Sequence, residues 1–373
     1  MIKSALLTRL LRPLSASASS VAGITKTSFG QLVDGTHAYV YRLSNGTGAW
    51  VDITSVGGAI VGIHVPDHCG VIADVTLGFD HAQQYVKEGP FFGGIIGRFA
   101  NRIASGHFCL GDSCYQLDTN EGKNSLHGGS GGFDKRLWSG QVRSDARGDV
   151  LQLVLLSADG DQGYPGQLVV TAEYRFDRHN RLSVHYSAES DQDTIVNLTQ
   201  HPYFNLNGHD KGDILGHQLM LNADHYLPID EAFIPTGAIQ PVDHATDFRR
   251  AKPIGESLFA EHEQLKIARG YDHTWVVSKS SGDALPLAAT LYAPESRRRV
   301  SVYTDQPGLQ FYSGNHLTDT LIGKGGVQYR PFAGAALEAQ HFPDSPNQPH
   351  FPSTALKKGE VYTSRTELVF GVN

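Results

Sequence analysis

The sequence is poor in the features that mark several large classes of protein. Its 373 residues include only three cysteines, Cys69, Cys109 and Cys114, too few for a disulfide framework. It has no apolar run long enough to span a bilayer, so we expect no membrane partner. Lysine and arginine total 31 against 38 acidic residues, and a net charge of -7 without charge blocks argues against a nucleic-acid partner.

The cysteines and histidines give no sign of a metal centre. Cys109 and Cys114 flank a turn at Gly111 and Asp112 and could face each other across a hairpin. Reduced thiols in a reducing compartment are nevertheless the expected state of all three cysteines. None of the 18 histidines falls in a recognised zinc-binding spacing. We therefore expect no metal and no structural disulfide.

Residues 1–27 differ in composition from the rest of the chain. They are basic, with no acidic residue before Asp34, and their leucines form a helical stripe ahead of a run of serine and alanine at 15–20. This composition is typical of a mitochondrial or plastid transit peptide. A disordered extension of a cytoplasmic protein is the equally weighted alternative. We expect a single folded domain over residues 28–373 and a cytoplasmic location, with an organelle as the alternative.

The rest of the chain has the periodicity of strands. Apolar and polar residues alternate over residues 168–176 and 182–188, with a turn between them, which predicts an antiparallel hairpin with one wet face. Similar alternation recurs at residues 300–304 and 362–370. The best helical candidate is short, at residues 254–269. Many strands joined by turns predict an all-β fold, an antiparallel sandwich.

One stretch, residues 197–206, places a single titratable side chain, His201, among amides, a hydroxyl and two aromatic rings. Pro202 removes a backbone donor and favours extended backbone at His201, which we expect at the end of a strand. A purely structural histidine is the alternative. The neighbouring polar side chains that could hydrogen-bond ligand hydroxyls are Asn197, Thr199, Gln200 and Asn205.

A second stretch, residues 333–344, places one carboxylate, Glu338, among small and apolar residues. A buried glutamate is costly unless it is paired, and burial raises its pKa so that it becomes a better base near neutral pH. One base and one acid, each at a strand end, are the minimum set for moving a proton on and off a neutral substrate.

Together these stretches resemble the galactose mutarotase (aldose 1-epimerase) family. Further similar motifs follow the order of that family, at residues 97–103, 124–138, 159–166, 270–273 and 307–315. The resemblance extends from about Ser28 to the C-terminus. It implies a large antiparallel β-sandwich, the galactose mutarotase-like supersandwich.

The resemblance also implies an activity. An aldose 1-epimerase is an isomerase of carbohydrate metabolism that interconverts the α and β anomers of free aldohexoses such as D-galactose and D-glucose. It opens and recloses the sugar ring, and it needs no cofactor because nothing is oxidised or transferred. Glu338 is implied as the base and His201 as the acid, with the pKa of the histidine raised. Glu338 would then set the acid limb of the pH profile, and His201 the alkaline limb.

The same resemblance assigns the residues that bind the aldohexose, which are Asn101, Arg102, His127, Asp272 and Gln310. Each of these assignments has a structural alternative. Arg102 could form a structural ion pair, and His127 could be a turn histidine. Asp272 could cap a turn, and Gln310 could lie on the wet face of a strand. Three aromatic residues could stack on the sugar or belong to the core, namely Trp138, Tyr203 and Phe311. We expect a monomer or a weak homodimer.

Alternative functions make different demands on the sequence. A hexose-6-phosphate 1-epimerase would need further basic residues for the phosphate, and the matched motifs offer only Arg102. A non-catalytic sugar-binding or regulatory homologue would have lost Glu338 or His201, and both are present. A secreted carbohydrate-processing lyase with a similar sandwich fold would need a clear signal peptide and a groove for a polymer, and the sequence shows neither.

Overall fold

The computed structural model describes residues 23–87, 89–279, 282 and 284–373. The N-terminal extension expected over residues 1–27 therefore lies mostly outside the described residues, and its targeting role stays a prediction. The first strand begins at Ile24, ahead of the expected domain start at Ser28. In the described ranges, no helix is long and apolar enough to cross a membrane.

The chain forms short strands throughout the described ranges. In the first half these are β1 (Ile24–Gln31), β2 (His37–Ser44), β3 (Trp50–Thr54), β4 (Ile60–Pro66), β5 (Ile72–Asp74), β6 (Ile95–Ile96), β7 (Arg102–Ile103), β8 (His107–Leu110), β9 (Ser113–Gln116), β10 (Ser125–Leu126), β11 (Ser139–Asp145), β12 (Gly148–Ser157), β13 (Leu168–Phe176) and β14 (Arg181–Ser190). In the second half they are β15 (Thr194–Ile195), β16 (Thr199–Gln200), β17 (Tyr203–Phe204), β18 (Gln218–Leu221), β19 (His225–Leu227), β20 (Gln240–Pro241), β21 (Lys252–Pro253), β22 (Asp272–Val276), β23 (Leu287–Tyr292), β24 (Arg298–Thr304), β25 (Gly308–Tyr312), β26 (Ala335–Gln340), β27 (Ala355–Leu356) and β28 (Val361–Val372). The α-helices are α1 (Ala82–Lys87), α2 (Gly255–Leu258) and α3 (Glu263–Ala268), and short 3-10 turns lie at Ala104–Gly106, Phe133–Lys135, Asp161–Gly163, Lys324–Gly326 and Ser345–Asn347.

Three large sheets organise these strands. A five-stranded sheet has the order β1-β2-β3-β4-β5, and a nine-stranded sheet has the order β11-β12-β13-β14-β28-β24-β23-β18-β21. The third sheet has six strands in the order β17-β26-β25-β22-β19-β20. Their ladders are antiparallel, including the hairpin of β13 and β14 that the alternation predicts. The prediction of an all-β antiparallel fold is confirmed.

One main core lies between the nine-stranded and six-stranded sheets. Val170 and Val184 of the larger sheet belong to the same buried cluster as Trp275 and Phe311 of the smaller one. Rings also meet across the interface, as Phe204 of β17 lies 6.3 Å from Phe370 of β28. Such face-to-face burial is the main source of stability for a sandwich. Trp138 and Phe311 both belong to this core, so neither is available for stacking on a ligand.

Side chains on the other face of the six-stranded sheet point away from this core. Since successive residues of a strand alternate between faces, Asp272 and Thr274 of β22 share the outer face with Gln310 and Glu338. The register places Thr274 opposite Gln310, and Gln310 opposite Glu338. Glu338 therefore lies in the middle of β26, and the expectation that it ends a strand is wrong.

The helical prediction for residues 254–269 is only partly correct. The segment forms two short helices, α2 and α3, with a break between them. His262 is extended at the break, with φ -130° and ψ 130°, and its Nε2 lies 2.8 Å from Asp243 Oδ2. This contact joins residues 19 positions apart, so local periodicity cannot reveal it.

The expectation of three reduced cysteines is wrong for two of them. Cys109 and Cys114 are direct partners across the hairpin of β8 and β9, with Cα atoms 4.0 Å apart, and they form a disulfide. Cys69 is a free and exposed thiol. The cross-strand register brings the pair together, which residue spacing alone only suggested.

Candidate active site

A cavity of about 270 Å³ opens on the outer face of the six-stranded sheet. Its wall brings together six of the seven residues that the sequence assigns to catalysis or binding, namely Asn101, Arg102, His127, His201, Asp272 and Glu338. The seventh, Gln310, is absent from the lining. Of the aromatic residues proposed to stack on a ligand, Tyr203 lines the wall.

His201 follows β16 directly and is fixed by its backbone. Its N–H donates to Gly94 O at 3.0 Å, and its carbonyl accepts from the N–H of Gly93 at 2.9 Å. The imidazole lies between the rings of Phe91 and Tyr203, with centroids 6.0 and 4.9 Å away. Burial in this apolar setting lowers the pKa of His201 to about 4, because the charged imidazolium is poorly solvated there. The expectation that this pKa is raised is therefore wrong.

The polar neighbours of His201 serve the fold. The amide of Asn197 donates to the carbonyls of Ala100 and His341, at 3.2 and 3.3 Å. Gln200 and Asn205 are likewise engaged, with Gln200 Nε2 donating to Gly58 O at 3.1 Å and Asn205 Nδ2 to Ala333 O at 3.0 Å. These amides do not line the cavity, so the interpretation that they meet ligand hydroxyls is wrong.

Glu338 faces His201 across the floor of the cavity. Glu338 Oε1 lies 3.4 Å from His201 Nε2, and the two residues are only 2% and 3% exposed. No described residue donates a hydrogen bond to the second oxygen, Oε2. Burial raises the pKa of Glu338 well above its usual range, and the negative charge of Asp272 adds to this while Arg102 opposes it. The pair can therefore exchange a proton with a ligand bound beside it.

The tautomer of His127 is set by the backbone. The N–H of Asn101 donates to His127 Nδ1 at 3.1 Å, so the proton of the neutral imidazole must be on Nε2. Burial lowers the pKa of His127 well below its usual range, and the nearby His201 and Arg102 act in the same direction. His127 therefore offers a neutral N–H donor, and its ring centroid lies 5.4 Å from that of His201.

A close approach of two loops holds His127 in place. Asn101 and His127 both adopt left-handed backbone conformations, with φ of 65° and 53°. Gly128 follows with φ 86°, and a Cβ on it would lie 2.0 Å from Gly97 O. Only glycine is compatible with that contact, which explains why the loop after His127 is glycine-rich.

His127, His201 and Glu338 form a group whose donor atoms all lie within 4.8 Å of one another, a spacing that could hold a metal ion. The tautomer of His127 argues against this use. A metal-bound histidine normally donates its second N–H to an acceptor, whereas His127 Nδ1 accepts from a backbone N–H. The Nε2 atom keeps its proton and has no lone pair to offer. The absence of a metal requirement stays a prediction.

Arg102 forms the structural ion pair considered for it, and it also lines the cavity. Its Nε and Nη2 donate to the two carboxylate oxygens of Glu121 at 2.6 and 2.7 Å, and its Nη1 lies 3.9 Å from Asp272 Oδ2. The guanidinium lies 4.9 Å from the centroid of the Phe233 ring. A bidentate pair of this kind fixes the guanidinium plane at the cavity wall.

Gln310 supports the site from behind. Its Nε2 donates to Asp272 Oδ1 at 2.7 Å, and its Oε1 accepts from the hydroxyl of Thr274. The residue is 3% exposed. It therefore orients the carboxylate of Asp272, whose pKa is raised by burial against the opposing charge of Arg102.

Sequence reasoning missed several residues of the wall, namely Phe91, Glu121, Phe233, Tyr312 and His316. Tyr312 could have been found, because it lies two residues after Gln310 on the same strand and so shares its face. Glu121 had no such signal. Its pairing with Arg102 depends on how a loop folds back across 19 residues.

Comparison of the sequence with known proteins shows which family the chain resembles. The sequence model of the family described as aldose 1-epimerase matches residues 39–369. A galactose mutarotase of Rattus norvegicus is 41% identical over 353 residues, covering 94% of this chain and 100% of that protein. An aldose 1-epimerase of Escherichia coli (strain K12) is 38% identical over 340 residues, covering 90% and 96%.

Solved structures show the same fold. A galactose 1-epimerase from Lactobacillus acidophilus superposes with a TM-score of 0.82 at 29% identity, covering 94% of this chain and 99% of that one. An aldose epimerase homologue from C. elegans also has a TM-score of 0.82, at 28% identity, and the match covers 90% and 99% of the two chains.

Proposed function

Because the chain belongs to the aldose 1-epimerase family, a family of isomerases, we propose that it interconverts the anomers of free aldohexoses such as D-galactose and D-glucose with Glu338 and His201 as its reacting groups. The observation that carries this proposal is the 3.4 Å contact between Glu338 Oε1 and His201 Nε2 at the floor of the cavity. A base and an acid this close can act on two neighbouring oxygens of one sugar ring.

The reaction moves two protons and leaves no net chemical change. Glu338 takes the proton of the anomeric hydroxyl, the bond between C1 and the ring oxygen breaks, and the ring oxygen takes a proton from His201. The open aldehyde rotates about its C1–C2 bond. The steps then run in reverse on the other face of the carbonyl, and both side chains regain their starting states.

The shifted pKa values decide which protonation state is active. Burial lowers the pKa of His201 to about 4 and raises that of Glu338, so in the resting site the shared proton resides mainly on the carboxyl. The reactive form, with the proton on His201, is the minor tautomer of the same charge. His201 then sets the acid limb of the pH profile and Glu338 the alkaline limb, which is the reverse of the expected assignment.

Other residues bind and polarise the sugar. His127 is held as an Nε2–H donor and can hydrogen-bond the ring oxygen alongside His201, which stabilises the charge that develops there. Arg102 and Asn101 can donate to sugar hydroxyls, and the carboxylate of Asp272 can accept from two of them. Gln310 contributes by orienting Asp272.

The electrostatics favour free sugars over their 6-phosphates. Of the described residues that line the cavity, Arg102 is the one lysine or arginine, and it is already paired with Glu121. The carboxylates of Glu121 and Asp272 would repel a phosphate. A non-catalytic sugar-binding role is disfavoured, because the reacting pair is in contact.

Polarimetry tests the substrate. Freshly dissolved α-D-galactose and α-D-glucose should lose their excess rotation faster with the protein than without it, and faster than the 6-phosphates of the same sugars. Activity should survive dialysis against a chelator. A clear preference for a 6-phosphate would favour the hexose-6-phosphate 1-epimerase, whereas no acceleration of any sugar would favour the non-catalytic homologue. The proposal includes a monomer or weak homodimer in the cytoplasm, which light scattering and cell fractionation can check.

A further inference from the structure

A second cluster of ligand-type side chains lies outside the cavity, on the hairpin of β8 and β9. Its register pairs Cys109 directly with Cys114. Because strand residues alternate between faces, Phe108 points inward, where it is fully buried in a small apolar cluster. His107 shares the outer face with the two cysteines, and all three residues are exposed. The hairpin therefore presents two sulfur atoms and one imidazole to solvent.

The spacing of these donors suits a metal. One ring nitrogen of His107 lies within 4.8 Å of both sulfur atoms, which are bonded to each other in the disulfide. Contrary to the expectation from the sequence, the spacing of the cysteines is within the range of zinc-binding pairs, since four residues separate them. Thiolate and imidazole together are the ligands preferred by zinc and similar thiophilic ions.

We propose that this hairpin, once its disulfide is reduced, binds a thiophilic divalent cation of the zinc type through Cys109, Cys114 and His107, with water as the fourth ligand. Two thiolates on one tetrahedral ion lie roughly 3.7 Å apart, given metal–sulfur distances of about 2.3 Å. Strand pairing fixes the two Cα atoms 4.0 Å apart, so side-chain rotation can reach that separation without moving the backbone.

Contacts other than the disulfide also hold the hairpin in place. The ring of Phe108 stacks on that of Tyr115 at 5.3 Å. Asn347 Nδ2 donates to the carbonyl of His107 at 2.9 Å, and Gln116 Nε2 donates to Ser105 O at 3.0 Å. Reduction therefore releases the sulfur atoms while these contacts keep both strands in place.

Disulfide and metal exclude each other, and the conversion balances. A dithiol reductant gives two electrons and two protons to the disulfide, becoming a disulfide itself and leaving two protein thiols. The incoming cation then displaces both thiol protons into solvent. The oxidised hairpin has no thiolate to offer, so the site exists only in the reduced protein.

Cobalt(II) is the probe for the test, because thiolate-to-cobalt charge transfer gives an absorption band that zinc abolishes by displacement. The full chain should carry Cys69→Ser, since Cys69 lies beside Asp67 and His68 in a separate group of possible ligands. A phosphine reductant, which takes oxygen from one water molecule as it becomes a phosphine oxide, opens the disulfide without competing for the metal. The reduced protein should bind one ion per chain, and the oxidised protein none.

Variants separate this site from others. His107→Gln should weaken binding by at least about tenfold, the scale on which even outer partners of a metal matter. Ser113→Ala, on the same hairpin but the other face, should leave binding unchanged, as should Glu338→Gln at the cavity. The proposal is overturned if the reduced Cys69→Ser protein gives no thiolate–cobalt band, or if Cys109→Ser with Cys114→Ser binds equally well.

Alkylation provides a check that needs no substitution at the ligands. Zinc should protect Cys109 and Cys114 of the reduced Cys69→Ser protein from iodoacetamide, and alkylation of both thiols beforehand should abolish cobalt binding. Equal labelling with and without zinc would contradict the site. Neither measurement uses activity, so their outcome leaves the proposed function independently testable.

Discussion

Replacing Glu338 by glutamine should stabilise the protein while it removes the base. The side chain keeps its size, but the buried site no longer has to accommodate a negative charge. Burial raises the pKa of Glu338 in the folded state. The folded protein therefore retains a proton that the unfolded chain loses above about pH 4.3. Unfolding in that pH range releases a proton from this group, so its contribution to the wild-type free energy of unfolding falls as pH rises.

The size of the effect follows from this linkage. Between the ordinary pKa of a glutamate and the raised value in the site, the wild-type protein loses about 1.4 kcal/mol of stability per pH unit through this one group. The Glu338→Gln variant has no such loss. Its advantage over the wild type should therefore be small at about pH 5 and should grow with pH until the raised pKa of Glu338 is reached.

Urea denaturation at several pH values measures this difference as a change in midpoint at constant slope. Glu189→Gln, at an exposed position of β14, is the matched control, and its difference from the wild type should stay within a few tenths of a kcal/mol across the range. The reasoning is refuted if Glu338→Gln is less stable than the wild type at the higher pH, or if its advantage does not change with pH.

Three further predictions concern the titratable groups. The ring carbon signals of His201 should titrate at about 4 by NMR, and a pKa at or above 6.5 would contradict the effect of burial. Burial also lowers the pKa of His217 to about 4 and that of His273 to about 3, so these rings stabilise the fold above about pH 6.5 and lose that contribution as pH falls. In the Glu338→Gln background, where the opposite contribution of that carboxyl is absent, the free energy of unfolding from urea titrations should fall by roughly 1.4 kcal/mol per pH unit for each such histidine from about pH 6.5 to pH 5; a flat profile would count against neutral burial. Glu121→Gln should raise KM by up to about fivefold at nearly unchanged kcat, since its pairing with Arg102 is partly exposed. A fall in kcat alone would mean that Glu121 acts in the chemical step.

The strands were the predictable part of the fold. The predicted strand at residues 168–176 has the same bounds as β13. One of its faces is buried, whereas Glu173 and Arg175 on the other face are only partly buried and Val169 and Thr171 are buried, so that face is less open to solvent than the alternation predicted. The helix predicted at residues 254–269 fails where His262 turns to Asp243, a tertiary contact. The disulfide was missed for a related reason, since register decides whether Cys109 and Cys114 meet.

The sequence predicted the site residues that lie in distinctive motifs, but not the properties of the site that depend on packing. His201 and Glu338 lie in distinctive stretches, and the structure brings them into contact. Gln310 shares the face of Glu338, but cross-strand hydrogen bonds turn its amide to Asp272. The direction of the pKa shift of His201 could not be predicted from the sequence either, because it depends on the rings packed around the imidazole.

The central claim is that Glu338 and His201 exchange protons with one sugar. The most direct test is the mutarotation of fresh α-D-galactose, followed by polarimetry with the wild type, Glu338→Gln and His201→Asn. Each variant should fold and should lose roughly 10²–10⁴ in kcat, the usual contribution of a positioned acid or base. The double variant should be far less than multiplicatively worse, because the two residues serve one event. A folded Glu338→Gln protein with near wild-type kcat would contradict the account.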